Sequence, residues 1–397
     1  PALIEAVPDF SDILIDIVDL PNQIRPMKPG SPIKVFRAIN LFNRNSCRIP
    51  VNSCEPFVIP QDASLRSGAA TAARHIRQNP RSPSALPVHR MARKLLKSSV
   101  GVALGGGAAF GIAHLGVLKV LEQNKIPIDL VAGCSQGSII GIGYAAGISI
   151  DEMIAIARRL GRKRNFFAAM DFTITRPGIL GGNRIIEIFS PMLKGKRTFE
   201  DLVLPCKTIA TDIESGERVA IGTGRLDHAF RASSAVPMVI SPLKYGERAL
   251  VDGGVSDPVP AEIVTQMGAD MCIAVNVVPP LKRGVETVVS RAYRQLNRMN
   301  LLSYIGESRD LPNLFDIVMN SMQILQYELG NFKAISADVL INPDLSDFTW
   351  IEYYRAEELI QRGTEAAERA LPAIQKAVDD RLAPVRRLEV EEKEAVA

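Results

Sequence analysis

The chain has 397 residues, 47% hydrophobic and 23% charged, with a formal net charge of +4. That balance describes a globular protein with length for roughly two or three domains, and the charge is too mild to indicate nucleic acid. Five scattered cysteines, Cys47, Cys54, Cys134, Cys206 and Cys272, give neither a disulfide framework nor a zinc spacing, so a reducing cytoplasm is the simplest setting.

No signal peptide opens the chain, and Pro1 in place of methionine leads us to expect a trimmed start or a longer parent protein. Residues 1–79 are expected to form a small α/β accessory segment. Ser11–Val18, Ile33–Leu41 and Pro56–Pro60 pattern as strands split by proline and glycine turns, and Asp62–Gln78 as helix. This segment is weakly similar to the later half of a MinD/ParA-like nucleotide-binding fold without its phosphate loop; the alternative is an accessory domain with no ligand of its own. Residues 80–97 read as a linker, Pro80–Pro87, and a short basic helix, His89–Lys97.

In residues 98–278 a strand-turn-helix unit occurs twice. Val100–Leu104 is an apolar strand that empties into Gly105, Gly106 and Gly107, with a helical pattern over Ala109–Gln123. Ile128–Ala132 is a second strand, Gly133-Cys134-Ser135-Gln136-Gly137 a sharp turn, and Ser138–Gly147 a helix of small residues. Glycines on both sides of Ser135 permit a tight strand-to-helix elbow that presents its hydroxyl, which makes Ser135 the candidate nucleophile. Val100–Leu118 and Val131–Ile150 have the length of membrane spans, but glycine and polar residues break both, and buried α/β units account for them. The spacings Gly137-x3-Gly141 and Gly143-x3-Gly147 then let the post-serine helix lie close on the sheet.

A serine nucleophile needs a base. Of four histidines only His228 follows Ser135, in the helix-like Leu226–Phe230; the other candidate is Asp252, at the end of an apolar strand and followed by Gly253 and Gly254. Carboxylates there are also common turn residues. The Gly106, Gly107 and Ala108 amides, at a helix start, can donate to a developing oxyanion. A dinucleotide fingerprint does not fit, because Phe110 or Ala108 falls where a glycine is needed, and no Gly-Lys-Ser/Thr follows.

Downstream, Ile150–Leu160 reads as a helix with acids first and bases last. It leads into Arg162, Lys163, Arg164, Phe166 and Phe167, either a solvated stretch or a contact in which cations meet anionic headgroups and the rings enter the interface. Phe199–Leu204, Cys206–Thr211, Arg218–Ile221 and Met271–Val277 pattern as strands, and Pro258–Pro260 starts a helix. Residues 279–382 read as a helical extension: an amphipathic stretch over Leu281–Asn331, a last strand at Asp338–Pro343 and a closing helix at Trp350–Val378. Residues 383–397 are a charged tail, expected to be disordered.

Taken together, Gly105-Gly-Gly-Ala-Ala-Phe-Gly111, Gly133-Cys-Ser-Gln-Gly137 and Asp252-Gly-Gly254 resemble the three signatures of the patatin-like phospholipases. Ala210–Gly216 and Phe230–Pro237 are similar to motifs the family carries between its serine and its aspartate. The likeness runs roughly from Ser98 to Val278 and is greatest to the bacterial group related to neuropathy target esterase. It implies a three-layer α/β/α sandwich of patatin-like topology. It also implies a serine lipid acyl hydrolase acting on phospholipids or lysophospholipids, without metal or cofactor, in the cytoplasm or peripherally at the membrane. In that reading Ser135 and Asp252 form a dyad without histidine, supported by Gly105, Gly111, Gly133, Gly137, Gly253 and Gly254, and water cleaves an acyl-enzyme. A free aspartate, with a pKa of about 3.9, is a poor base at neutral pH, but desolvation raises it toward the working range. Phe110 stands where the family usually has arginine, which bears on loop shape and substrate polarity. Two other classes remain open on sequence: a non-catalytic lipid- or partner-binding relative, and an esterase or thioesterase using His228.

Overall fold

A computed structural model of the chain describes residues 13–18, 34–41, 57–60, 85–161, 181–189, 193–282 and 314–396. The chain divides into two units, one of Pro1–Val100, Met267–Met271 and Lys376–Ala397, the other of Gly101–Gln266 and Cys272–Gln375.

In the first unit β1 (Ile13–Val18), β2 (Lys34–Leu41) and β3 (Phe57–Pro60) form a three-stranded sheet in that order. Both pairings are parallel, with Ile13 opposite Lys34 and Ala38 opposite Phe57. The three strands fall where β-branched and aromatic runs predict them; the helix expected at Asp62–Gln78 lies outside the described residues. Helix α1 (Ala85–Leu95) starts inside the stretch that the prolines mark as linker. Pro87 sits in its first turn, where a missing N–H removes no intrahelical bond, and Arg93 and Lys94 close it against the negative end of the dipole.

The second unit is built on β4 (Val100–Leu104), a 3-10 turn at Ala108–Ile112, α2 (Ala113–Gln123), β5 (Leu130–Cys134), α3 (Gln136–Ala145), α4 (Ile150–Leu160) and α5 (Asn183–Phe189). It continues through β6 (Cys206–Asp212), β7 (Arg218–Ile221), α6 (Leu226–Ser233), β8 (Leu243–Tyr245), β9 (Arg248–Asp252), α7 (Ala261–Gln266) and β10 (Met271–Val275). α8 (Leu314–Lys333), β11 (Val339–Ile341) and α9 (Ala356–Val396) as far as Gln375 complete it. An eight-stranded mixed sheet runs β11-β10-β4-β5-β6-β9-β8, with β7 also on β6. Every residue of β4, β5 and β10 is buried, the pattern of parallel strands covered on both faces. The apolar stretches of membrane-span length resolve into strand-turn-helix units, and no helix of the described residues is long and apolar enough to cross a membrane.

The register around β6 places the site. On one edge β6 pairs with β7, which is opposite both Ile209 and Ala210. On the other edge, parallel β5 ends with Cys134 opposite Ile209, and antiparallel β9 ends with Asp252 opposite Ala210. β5 and β9 therefore lie end to end along one edge of β6, and their carboxyl ends meet.

Glycines set the distances between layers. A Cβ on Gly137 would strike the Leu104 carbonyl oxygen, and one on Gly141 would sit 3.0 Å from the Val131 side chain, so α3 lies directly on β4 and β5. α2 and α9 touch backbone to backbone, because a Cβ on Gly116 would run into the Ile360 carbonyl and one on Gly363 into that of Ala113.

Three expectations change. Phe199–Leu204, patterned as a strand, begins with a 3-10 turn at Phe199–Asp201, because the Asp201 carboxylate gathers the amides of Arg197 at 2.9 Å and Thr198 at 3.0 Å. The helix expected over Ala109–Gln123 begins as a 3-10 turn, where the chain leaves the glycine loop and the Ala109 amide donates to Trp350 O at 2.9 Å. α9 runs to Val396 rather than giving way to a tail at Ala383; apart from Pro384, the stretch is rich in Glu, Arg, Lys, Ala and Leu, which favour helix.

On an exposed helix, glycine to alanine gains up to about 1 kcal/mol. At Gly116 and Gly363 the sign should reverse. Either alanine should lower stability by about 1–3 kcal/mol through overpacking, read as a fall in the urea midpoint at unchanged slope.

Candidate active site

Ser135 follows the last residue of β5 and precedes α3, with φ 50° and ψ −122°. A side chain in that region costs on the order of 1–3 kcal/mol, so the neighbours must impose it. They do so by contact: a Cβ on Gly133 would strike the Gly137 carbonyl, so only glycine closes the elbow this tightly. The Ser135 amide donates to Ser233 Oγ at 2.7 Å, and that hydroxyl donates to Ile209 O at 2.5 Å. The last residue of α6 thus ties the elbow to β6.

At the facing strand end, Ser135 Oγ donates to Asp252 Oδ2 at 2.5 Å. The other carboxylate oxygen, Oδ1, accepts the Gly254 amide at 2.7 Å and faces the Cys134 thiol at 3.8 Å. Thr211 Oγ1 donates to the Asp252 carbonyl at 3.0 Å and lies 2.8 Å from Ser256 Oγ, and the Asp252 amide donates to Ala235 O at 2.9 Å. Asp252 is 1% exposed. Loss of solvent pushes its carboxyl up to about 6, against the opposing pull of the Ser135, Gly254 and Cys134 hydrogen bonds. Burial and the Asp252 charge push the Cys134 thiol well above its ordinary range, which keeps it a protonated donor. His228 stands on the exposed side of α6, its amide bonded to the Asp227 carboxylate, and takes no part in this network.

The glycine loop closes over the elbow. A Cβ on Gly106 would lie 3.3 Å from Ser135 Cβ and 3.2 Å from Cys134 Sγ, so the loop backbone rests against the serine elbow. The Gly105 amide donates to Val275 O at 3.0 Å and the Gly106 amide to Pro258 O at 2.9 Å. That corrects the expectation that Gly106, Gly107 and Ala108 all offer their amides: the Gly106 N–H is spent within the fold. Gly107, at φ 153°, and Ala108, at φ 47°, follow in left-handed backbone, and their amides have no acceptor among the described residues. Phe110 is 2% exposed and anchors the loop in the core. Gly111 makes room for the Gln136 side chain, Gly253 for Ile209 O and Cys134 Sγ, and Gly254 for the Gln326 amide of α8. Arg162, Lys163, Arg164, Phe166 and Phe167 lie outside the described residues.

Ser233, Thr211 and Cys134 support the site without having been singled out as doing so. Ser233 lies within the Phe230–Pro237 stretch and Thr211 within Ala210–Gly216, so position in those motifs is the one signal that could have found them.

Residues 102–265 match the family model of the patatin-like phospholipases. An uncharacterised NTE family protein of Mycobacterium tuberculosis is 37% identical over 178 residues, 45% of this chain and 49% of that protein. The lysophospholipase NTE1 of Coccidioides immitis is 30% identical over 301 residues, 73% of this chain and 19% of that protein. The chain thus spans about half the length of the mycobacterial relative and about a fifth of the fungal one. Among solved structures, the human GIVD cytosolic phospholipase A2 superposes with a TM-score of 0.40 at 10% identity, over 81% of this chain and 65% of that one. With its glycine loop, serine elbow and Asp-Gly-Gly strand end inside the matched region, the chain carries a domain of the patatin-like phospholipase family.

Proposed function

We propose that this protein is a serine lipid acyl hydrolase that cleaves carboxylic esters of phospholipids or lysophospholipids through a Ser135–Asp252 dyad and an acyl-enzyme. The observation that carries the reading is the 2.5 Å hydrogen bond from Ser135 Oγ to a buried carboxylate oxygen. The lysophospholipase name of the fungal relatives supports the substrate class.

The chemistry follows from which groups are committed and which are not. Asp252 Oδ1 is held by the Gly254 amide, leaving Oδ2 to receive the Ser135 proton. As Oγ attacks the ester carbonyl, that proton passes to Oδ2, and negative charge collects on the carbonyl oxygen in front of the uncommitted Gly107 and Ala108 amides. Collapse breaks the ester C–O bond, and Asp252 returns the proton to the departing alcohol. Water then attacks the acyl-serine, gives its proton to Asp252 and releases the fatty acid, and the proton goes back to Ser135 Oγ. A carboxyl at about 6 is ionised at neutral pH yet a stronger base than a free aspartate at about 3.9. The protein works peripherally at a membrane, with Arg162, Lys163 and Arg164 facing anionic headgroups and Phe166 and Phe167 entering the interface.

Ser135→Ala should abolish ester hydrolysis and labelling by a fluorophosphonate probe, while His228→Ala keeps kcat within about twofold, the size of effect expected of an exposed side chain outside the network. A wild-type protein that does not label would be a binding relative instead, and a dead His228→Ala would revive the histidine mechanism.

The rate should follow the ionised form of Asp252. kcat/KM is expected to rise about tenfold per pH unit below about 6 and to level off above it. A flat profile down to about pH 4 would argue against Asp252 as the base.

The same burial has a cost in stability. The folded chain holds the Asp252 proton more tightly than the unfolded chain does, so this group destabilises the fold as pH rises from about 4 to about 6. Asp252→Asn should therefore be inactive yet more stable than wild type at neutral pH by about 1–3 kcal/mol, with the gain vanishing near pH ~4 in paired denaturant titrations.

Reversing the charges of Arg162, Lys163 and Arg164 should weaken co-sedimentation with anionic liposomes and leave hydrolysis of a soluble ester intact. Equal liposome binding would exclude that contact.

A further inference from the structure

We propose that His114 is a positioning residue that orients the oxyanion-binding amides by clamping the peptide unit between Gly105 and Gly106; the inference rests on the acyl-hydrolase reading above. His114 is the second residue of α2 and is 0% exposed. Its Nε2 lies 2.8 Å from Gly105 O. A carbonyl oxygen can only accept, so Nε2 carries the proton and donates. Burial lowers the ring to about 4, leaving it neutral at working pH with Nδ1 bare.

The Gly105 carbonyl and the Gly106 N–H belong to one rigid plane. His114 holds its oxygen and Pro258 O accepts its hydrogen at 2.9 Å, while the preceding amide, Gly105 N–H, is fixed on Val275 O at 3.0 Å. Rotation of that plane is blocked from both sides. The next two amides, those of Gly107 and Ala108, are the ones with no acceptor among the described residues, and their direction is inherited from the clamped plane. Glycine at 105, 106 and 107 leaves no Cβ to fix the backbone by packing, so hydrogen bonds must do it.

Fold stability alone gives no reason for histidine here. Nδ1 is buried without a hydrogen-bond partner among the described residues, a cost that an apolar side chain of similar size would not incur. The group that needs this ring is the loop carbonyl, which lies in the same loop as the proposed oxyanion donors.

The test uses three substitutions in the full chain, His114→Leu, His114→Asn and His114→Gln. It reads the rate of fluorophosphonate labelling, kcat and KM on a soluble p-nitrophenyl ester, and the thermal midpoint. Leucine fills the site without a donor. Glutamine can place an amide N–H near the position of Nε2, and asparagine is too short to do so.

We expect His114→Leu to lower kcat and labelling rate about 10²-fold, with KM within about twofold and a thermal midpoint at or above wild type. His114→Gln should recover at least about tenfold of that loss, and His114→Asn should not. A folded His114→Leu that labels at the wild-type rate overturns the inference. Should the leucine variant not fold, the glutamine and asparagine variants decide: a faster glutamine variant upholds the clamp, and equal rates overturn it. If wild type itself fails to label, the acyl-hydrolase reading falls; if wild type labels and the variants match it, only the role of His114 falls.

Discussion

Two strands that approach each other along one edge of β6 are the constraint on which the rest depends. Because β5 runs parallel to β6 and β9 antiparallel, their carboxyl ends converge, with Cys134 opposite Ile209 and Asp252 opposite Ala210, and the elbow just past Cys134 brings Ser135 within hydrogen-bonding distance of Asp252. Backbone ladders fix positions more stiffly than loops do, so the pair is preorganised before any substrate arrives. The strained elbow, the Ser233 stitch and the Thr211 bond to the Asp252 carbonyl all refine an alignment that the sheet has already made.

Desolvation then does two opposed things to one carboxylate. It raises the Asp252 carboxyl to about 6, which suits the role of base that we propose for it, and it disfavours the charge that the fold must nonetheless enclose. The amide of Gly254 and the thiol of Cys134, both on Oδ1, restrain that rise without occupying the oxygen that faces Ser135. One carboxylate oxygen is thereby anchored and the other left for proton transfer, a division of labour that a histidine would otherwise perform with its two nitrogens.

Much of this could be read from local pattern. Glycines flanking Ser135 announce an elbow, and an apolar run ending in Asp252-Gly-Gly announces a carboxylate at a strand end, because each signal needs only neighbours in sequence. What escaped was whatever depends on distant backbone. The Gly106 amide could not be known to be engaged, since its acceptor, the Pro258 carbonyl, comes from the distant segment between β9 and α7. Ser233 and Thr211 are hydroxyls in a helix and a strand, where their side chains leave no periodic trace. The 3-10 turn at Phe199 was a different kind of miss: Thr198 and Asp201 form a recognisable capping pair, and the apolar residues around them pulled the reading toward strand. The length of α9 escaped because charge was read as disorder, when Glu, Arg, Lys, Ala and Leu are among the better helix formers.

The members of the dyad are separated by 117 positions along the chain. Ser135 is synthesised early, inside a unit of nearby contacts, whereas Asp252 rides on a strand that pairs with β6. A nascent or truncated chain that has folded through α3 would therefore display a serine with nothing to deprotonate it. In the mechanism we propose, chemical competence therefore waits on the non-local pairing of β9 with β6.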